Sequence, residues 1–223
     1  DEAFSIYGQR AGALLPVAFW MFLLVAIVSA LASETLALVP LEFLVSTFVS
    51  IVYQGMVVGL IRDLREGRGD SSIAGMVRQI RPVLWPLIGA GLLAGLGIGL
   101  GALLIVPGIY LFTIWAVVAP AIVIERRGVR ESFGRSRQLV RGNGWQVLGA
   151  LVVALLFTLI ATLVLSAIAA AITSDPIFAV VVLSLALTLA APIMSLVVGV
   201  LYFRLREIEE KRSVLQQPGD SLG

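Results

Sequence analysis

Charged residues divide this chain into long apolar runs. Read between consecutive charged positions, uncharged stretches cover residues 11–33, 43–61, 82–124, 142–174 and 176–203. Each can supply the roughly 20 helical residues that cross a hydrocarbon core about 30 Å thick, and they are too numerous to be a signal peptide. The run 82–124 would extend about 65 Å as one helix, twice the bilayer core, so it must fold back on itself. The break is predicted at Val106-Pro107-Gly108, where proline removes a backbone donor and glycine permits a turn. The pattern therefore predicts an all-α, polytopic membrane bundle of six spans, at about 11–33, 38–61, 83–106, 109–124, 144–173 and 177–203, arranged as three successive hairpins. Span four is short, and Pro120 within it predicts a kink or an early end.

Between the spans lie two segments with a different pattern. From Gly128 to Gly142, Val129, Phe133, Ser136 and Val140 recur at helical spacing, while Arg130, Arg137 and Arg141 share another face. This is the signature of an amphipathic helix on the cytoplasmic surface. Residues 71–81, with Ile73, Met76, Val77 and Ile80, read as its counterpart. Sliding the chain over itself by 60 residues pairs Ser72 with Ser132, Arg81 with Arg141, Trp85 with Trp145, Gly89 with Gly149 and Ala90 with Ala150. In both copies an arginine precedes a tryptophan by four residues at the start of a span, an arrangement suited to a headgroup boundary. Either a duplication or the common reuse of interface residues would give this likeness. Residues 1–212 form the membrane domain in this reading, and the tail 213–223, with Pro218-Gly219, is expected to be disordered. The chain opens at Asp1, which leads to the expectation that a leader, tag or upstream segment has been removed.

Composition and charge sharpen the picture. Hydrophobic residues make up 59% of the chain and charged residues 13%, against about 45–50% and 25% in soluble proteins, which excludes a soluble fold. All 16 basic residues fall before span one, between spans two and three, between spans four and five, or after span six. Under the positive-inside rule both termini are cytoplasmic, with three short external turns carrying Glu34, Glu42 and Asp175. Histidine and cysteine are absent, which removes imidazole acid–base catalysis, thiol nucleophiles, disulfides and the usual zinc and haem ligands.

Candidate chemistry is sparse. Gly91, Gly95 and Gly99 recur every four residues in span three, with Gly97 and Gly101 on a neighbouring line. Such glycines let helices approach closely in lipid; the sharper alternative is a loosened helix that bends or lines a cavity, with Pro107, Gly108 and Pro120 as further hinge positions. Span five carries its own small-residue seam through Ala150, Ala154, Thr158, Thr162 and Ser166. Glu42 is the one ionisable candidate within a span, and its distance from Arg62 places it near the external interface rather than the midplane. Gln54, Tyr53 and Thr113 converge on no motif. The densest feature is the arginine cluster 126–141, flanked by Glu125 and Glu131, which are expected to pair with it. Arg81, Arg130, Arg135, Arg137 and Arg141, with Trp85 and Trp145, form a candidate site for lipid headgroups, since guanidinium suits phosphate. Positive-inside retention alone would also place arginines there.

The stretch Pro107–Gly149, PGIYLFTIWAVVAPAIVIERRGVRESFGRSRQLVRGNGWQVLG, carries a resemblance. A Pro-Gly turn, a span ending in Pro120 and Glu125, then Gly128, Ser136-Arg137 and Arg141-Gly142 before Trp145 resemble the integral membrane domain attached to some glycerophosphoryl diester phosphodiesterases and the YciC-like six-span bacterial proteins. The closing LYFRLRE is similar to the end of that family. The resemblance implies a six-span architecture in a bacterial cytoplasmic membrane. It does not bring catalysis, because the phosphodiesterase chemistry of that family resides in a separate soluble barrel with histidines. The expectation is a non-catalytic membrane module, without cofactor, metal or nucleic-acid partner. It would engage anionic lipid and bind a second copy or a membrane or peripheral protein. The alternative is a small transporter or permease subunit for an amphipathic substrate, with spans three and five as its moving pair.

Overall fold

The computed structural model describes residues 2–66, 73–172 and 175–215, and among them there is no strand. The helices are α1 (Glu2–Glu34), α2 (Val39–Arg65), α3 (Ile73–Ile80), α4 (Leu84–Ala102), α5 (Val106–Ile114), α6 (Val118–Glu125), α7 (Val129–Val140), α8 (Gly144–Ile172) and α9 (Pro176–Leu215). Six stretches are long and apolar enough to cross a membrane: Leu14–Ala32, Leu36–Arg65, Arg81–Ala102, Val106–Glu125, Gly144–Ile168 and Val180–Ser213. They agree with the six predicted spans in number and each overlaps one of them. Their apolar residues surround each helix instead of forming one stripe, as a helix needs when protein lies on one side and lipid on the other. Helix α9 continues through Leu215, so Ser213–Leu215 belong to it instead of to a disordered tail. The rest of that expected tail lies outside the described residues.

Consecutive helices do touch, α1 with α2, α4 with α5 and α8 with α9, but α1 packs most extensively on α9, joining the first span to the last. Helix α2 sits centrally, against α1, α4, α6 and α9. Its Tyr53 is fully buried, donates to the carbonyl of Leu14 at 3.4 Å and meets Phe22 edge-on.

The 60-residue register reappears in the architecture. Helices α2 and α6 end at 65 and 125, α3 and α7 end at 80 and 140, and α4 and α8 begin at 84 and 144. Burial follows the same register: Ile80 and Val140 are buried, as are Leu87 and Val147, whereas Trp85 and Trp145 are among the most exposed apolar side chains. The agreement is confined to these helix ends and positions, since α3 begins at 73 and α7 at 129, and α4 and α8 differ in length.

The turn between spans three and four differs from expectation. It lies at Leu103–Ile105, ahead of Pro107, and Val106-Pro107-Gly108 form the first turn of α5, where proline's missing N–H would have had no partner anyway. The residue with positive φ is Ile105, at φ 53° and ψ −66°, closed by a Val106 N–H bond to the Leu104 carbonyl at 2.6 Å. This is a γ-turn of the rare, strained hand, centred on a β-branched residue. Gly108 serves close approach instead: a Cβ there would lie 2.7 Å from the backbone of Ala102.

Candidate functional site

Span four is broken. Pro120 offers no N–H to the Ala116 carbonyl and its ring crowds that turn, so the disruption falls on the preceding residues. Helix α5 ends at Ile114, α6 begins at Val118, and Trp115–Val117 leave helical geometry. Within lipid an interrupted helix is tolerated only if protein re-satisfies its backbone. Here Ser136 of α7 does so. Its hydroxyl donates to the Ile114 carbonyl at 2.7 Å and accepts from the Val117 N–H at 3.3 Å, and the side chain is fully buried. Phe133, one turn earlier on α7, packs edge-on against Trp115 with centroids 4.9 Å apart. The amphipathic helix is thus docked into the break through a serine and a phenylalanine.

The break borders a partly open cavity of about 170 Å³ between α2, α4, α5, α6, α8 and α9. Gln54 brings an amide to a lining otherwise made mainly by residues such as Ile51, Gly91, Trp115 and Met194.

Beyond the break, the ends of α6, α7 and α9 converge in a charged network. Glu125 closes α6, and the chain turns there through Arg126 in the left-handed conformation. One Glu125 oxygen accepts from Arg135 Nε at 2.9 Å and from the Tyr202 hydroxyl at 2.8 Å, and the other accepts from Arg127. Arg135 uses a second nitrogen on Glu209 at 2.7 Å, and Gln138 reaches the same Glu209 oxygen at 3.0 Å. Hydrogen bonding to Glu209, followed by that to Glu125, outweighs burial and raises Arg135 further above the usual arginine range, so it stays charged. A second strut joins α2 to α9: Arg65 pairs with Glu207 at 2.9 Å and lies 4.5 Å over the Phe203 ring.

The headgroup candidates consequently separate into two groups. The Arg135 side chain is only 12% exposed and spans two carboxylates, which makes it a frame element. Arg81, Arg130, Arg137 and Arg141 are exposed and make no ion pair among the described residues. Trp85 and Trp145 stand beside them in sequence, 81% and 86% exposed. Of the two flanking carboxylates expected to pair, Glu125 does so, while Glu131 is exposed and pairs with no described residue. Tyr202, Glu207 and Glu209 are the members sequence reasoning missed. Their signal was helical spacing, since Tyr202 and Glu209 lie seven residues apart and therefore on one face of α9.

The glycines also separate. A Cβ on Gly91 would strike Ile51 at 1.5 Å and one on Gly97 would strike Trp115 at 2.5 Å, so these two are close-approach positions. At Gly95 the nearest neighbour would be 3.5 Å away, and at Gly99 nothing lies within 4 Å. The repeat of four thus needs glycine for close approach at Gly91, leaves room for a Cβ against Phe43 at Gly95 and faces open space at Gly99, because a period of four drifts around a 3.6-residue helix. Pro120 is buried in the first turn of α6. Glu42 falls in the first turn of α2, where the helix dipole favours a carboxylate.

Neither curated proteins nor solved structures gave a match to the chain. One family match exists, over residues 23–206, and it gives no link to the phosphodiesterase-associated or YciC-like proteins. It covers most of the chain, including the break in span four, Ser136 and every residue of the charged network and its second strut except Glu207 and Glu209, and on that breadth the chain belongs to the family described as Domain of unknown function (DUF7847).

Proposed function

We propose that this chain is a non-catalytic module of a bacterial inner membrane, with both termini in the cytoplasm, that engages anionic phospholipid through the exposed face of α7. The observation that carries this reading is the division of labour among the arginines: Arg135 is consumed by Glu125 and Glu209, whereas Arg130, Arg137 and Arg141 project from the same helix without a described carboxylate partner. Arginines that need only neutralise protein carboxylates would be paired like Arg135. Unpaired guanidinium groups beside an exposed tryptophan are suited to headgroup phosphate. The retention of basic residues in cytoplasmic loops supports the orientation, and the likeness of Pro107–Gly149 to phosphodiesterase-associated membrane domains supports the bacterial setting.

The test is lipid retention after gentle extraction from vesicles containing equal phosphatidylglycerol and phosphatidylcholine, read by native mass spectrometry. Combined Arg130→Glu, Arg137→Glu and Arg141→Glu should abolish the preference for phosphatidylglycerol while the protein still folds. An unchanged preference would refute the proposal.

The second reading, a transporter subunit for an amphipathic substrate, draws on the broken span four beside an internal cavity, an arrangement that transporters use. A folded, reconstituted protein that moves no fluorescent lipid or amphiphile across vesicles would remove it.

A further inference from the structure

Two apolar crevices open on the outer surface of the bundle, one beside the start of α4 and one beside the start of α8, with a single pair of lining positions in common under the 60-residue register. The first, of about 660 Å³, lies between α5 and the segment that leads into α8, and its lining includes Ile109, Tyr110, Gly142, Gly144, Trp145 and Leu148. The second, of about 560 Å³, lies between α1, α2 and the segment that leads into α4, and its lining includes Trp20, Phe48, Val77, Arg81 and Leu84. Gly144 and Leu84 are equivalent positions, 60 residues apart. Both volumes lie within the roughly 300–1,000 Å³ that ligand clefts occupy. Their walls are apolar, which suits hydrocarbon rather than a polar solute.

Guanidinium forms part of the second crevice and lies beside a residue of the first. In the second, Arg81 is itself part of the wall and is exposed. In the first, Arg141 precedes the lining residue Gly142, and the Arg212 guanidinium lies 3.3 Å from where a Gly142 Cβ would stand. Gly142 has φ +84°, a conformation that favours glycine and leaves this space to Arg212. Arg81, Arg141 and Arg212 make no ion pair among the described residues. An apolar trough with an uncompensated cation at its edge matches one chemistry, an acyl chain with an anionic head.

We infer that the two crevices are sites of like chemistry, each seating one anionic phospholipid with an acyl chain in the crevice and its phosphate on Arg81 at one or on Arg141 and Arg212 at the other. The inference rests on the lipid-engaging reading above and adds to it a location and a stoichiometry. General attraction between a basic surface and an anionic membrane would require neither the crevices nor a fixed number of lipids.

The experiment fills the crevices while leaving every arginine in place. Gly144 can accept a side chain, because an added Cβ meets nothing within 4 Å, and Val77 is a half-exposed wall residue. The full chain is reconstituted in equimolar phosphatidylglycerol and phosphatidylcholine, and retained lipids are counted by native mass spectrometry. The unmodified protein should keep two phosphatidylglycerol molecules, Gly144→Phe and Val77→Phe one each, and the double variant none. Val153→Phe, on the exposed outer face of α8 and outside both crevices, should keep two and controls for added bulk. Helical circular dichroism and a melting curve identify any variant that fails to fold. If one does, brominated phosphatidylglycerol replaces it, and should quench Trp20 and Trp145 in the unmodified protein more than brominated phosphatidylcholine. Two lipids retained by a folded double variant, or equal quenching by both lipids, would overturn the crevice inference. If the arginine reversals still release lipid in that case, the broader reading stands. If they release none, both fall.

Discussion

Replacing Ser136 by alanine tests whether α7 repairs the interrupted span. The substitution removes one hydroxyl from a fully buried site and leaves two backbone groups, the Ile114 carbonyl and the Val117 N–H, without the partner they now have. The neighbouring N–H of Val118, which would serve Ile114 in an unbroken helix, is already bonded to Trp115 at 3.2 Å. Buried polar groups left unsatisfied cost about 1–3 kcal/mol each, whereas side-chain hydrogen bonds between membrane helices average about 0.6 kcal/mol. The 2.7 Å bond to Ile114 is short and the 3.3 Å bond from Val117 is long, so the first dominates. A total of about 2 kcal/mol is expected, roughly a 30-fold change in the unfolding equilibrium. The control is Ser132→Ala, whose hydroxyl bonds only the Gly128 carbonyl of its own helix, a carbonyl that the Ser132 N–H also holds. That loss should be under about 0.5 kcal/mol. The assay is detergent-induced unfolding in mixed micelles, followed by the fluorescence of Trp115 with the other three tryptophans changed to phenylalanine. Equal stabilities of Ser136→Ala and Ser132→Ala would refute the argument that α7 satisfies the break.

Three further outcomes are expected. Arg135→Lys should destabilise the protein by about 1–3 kcal/mol in the same unfolding assay, because an ammonium cannot reproduce the fork that spans Glu125 and Glu209; a neutral result would show that the network does not hold α6, α7 and α9 together. Gly108→Ala should cost about 1–3 kcal/mol through its collision with the Ala102 backbone, while Gly99→Ala, with open space around it, should be neutral or slightly stabilising. Ile105→Gly should raise the melting temperature, since the positive φ penalty of about 1–2 kcal/mol exceeds the entropy cost of glycine; a lowered melting temperature would mean that Ile105 is held there by packing worth more than the strain.

The apolar spans and their number were legible in the sequence because lipid imposes a composition on whole helices, independent of their neighbours. The amphipathic character of α7 was equally legible: of Val129, Phe133, Ser136 and Val140, which recur at helical spacing, the last two are buried and the first two half-buried. Pro120 announced a break, and the break came on its N-terminal side as the missing donor requires. Pro107 misled, because proline tolerates the first turn of a helix as readily as it ends one. Gly91 could not be told from Gly99 in a regular repeat, since only the position of Ile51 makes one of them a contact and leaves the other bare.

What local sequence determined, then, is what depends on a residue and its helical neighbours: the apolar spans, their number and the 60-residue register. What the tertiary structure alone decided is which polar groups meet across the chain. Arg135 and Arg137 are two residues apart and alike in sequence, yet one is committed to Glu125 and Glu209 and the other is exposed. The partner carboxylates come from α6 and from α9, far away along the chain, and it is the packing of α9 against the bundle that carries Glu209 to the end of α7. Ser136 finds its role in the same way, because the groups it satisfies exist only where another helix has come apart.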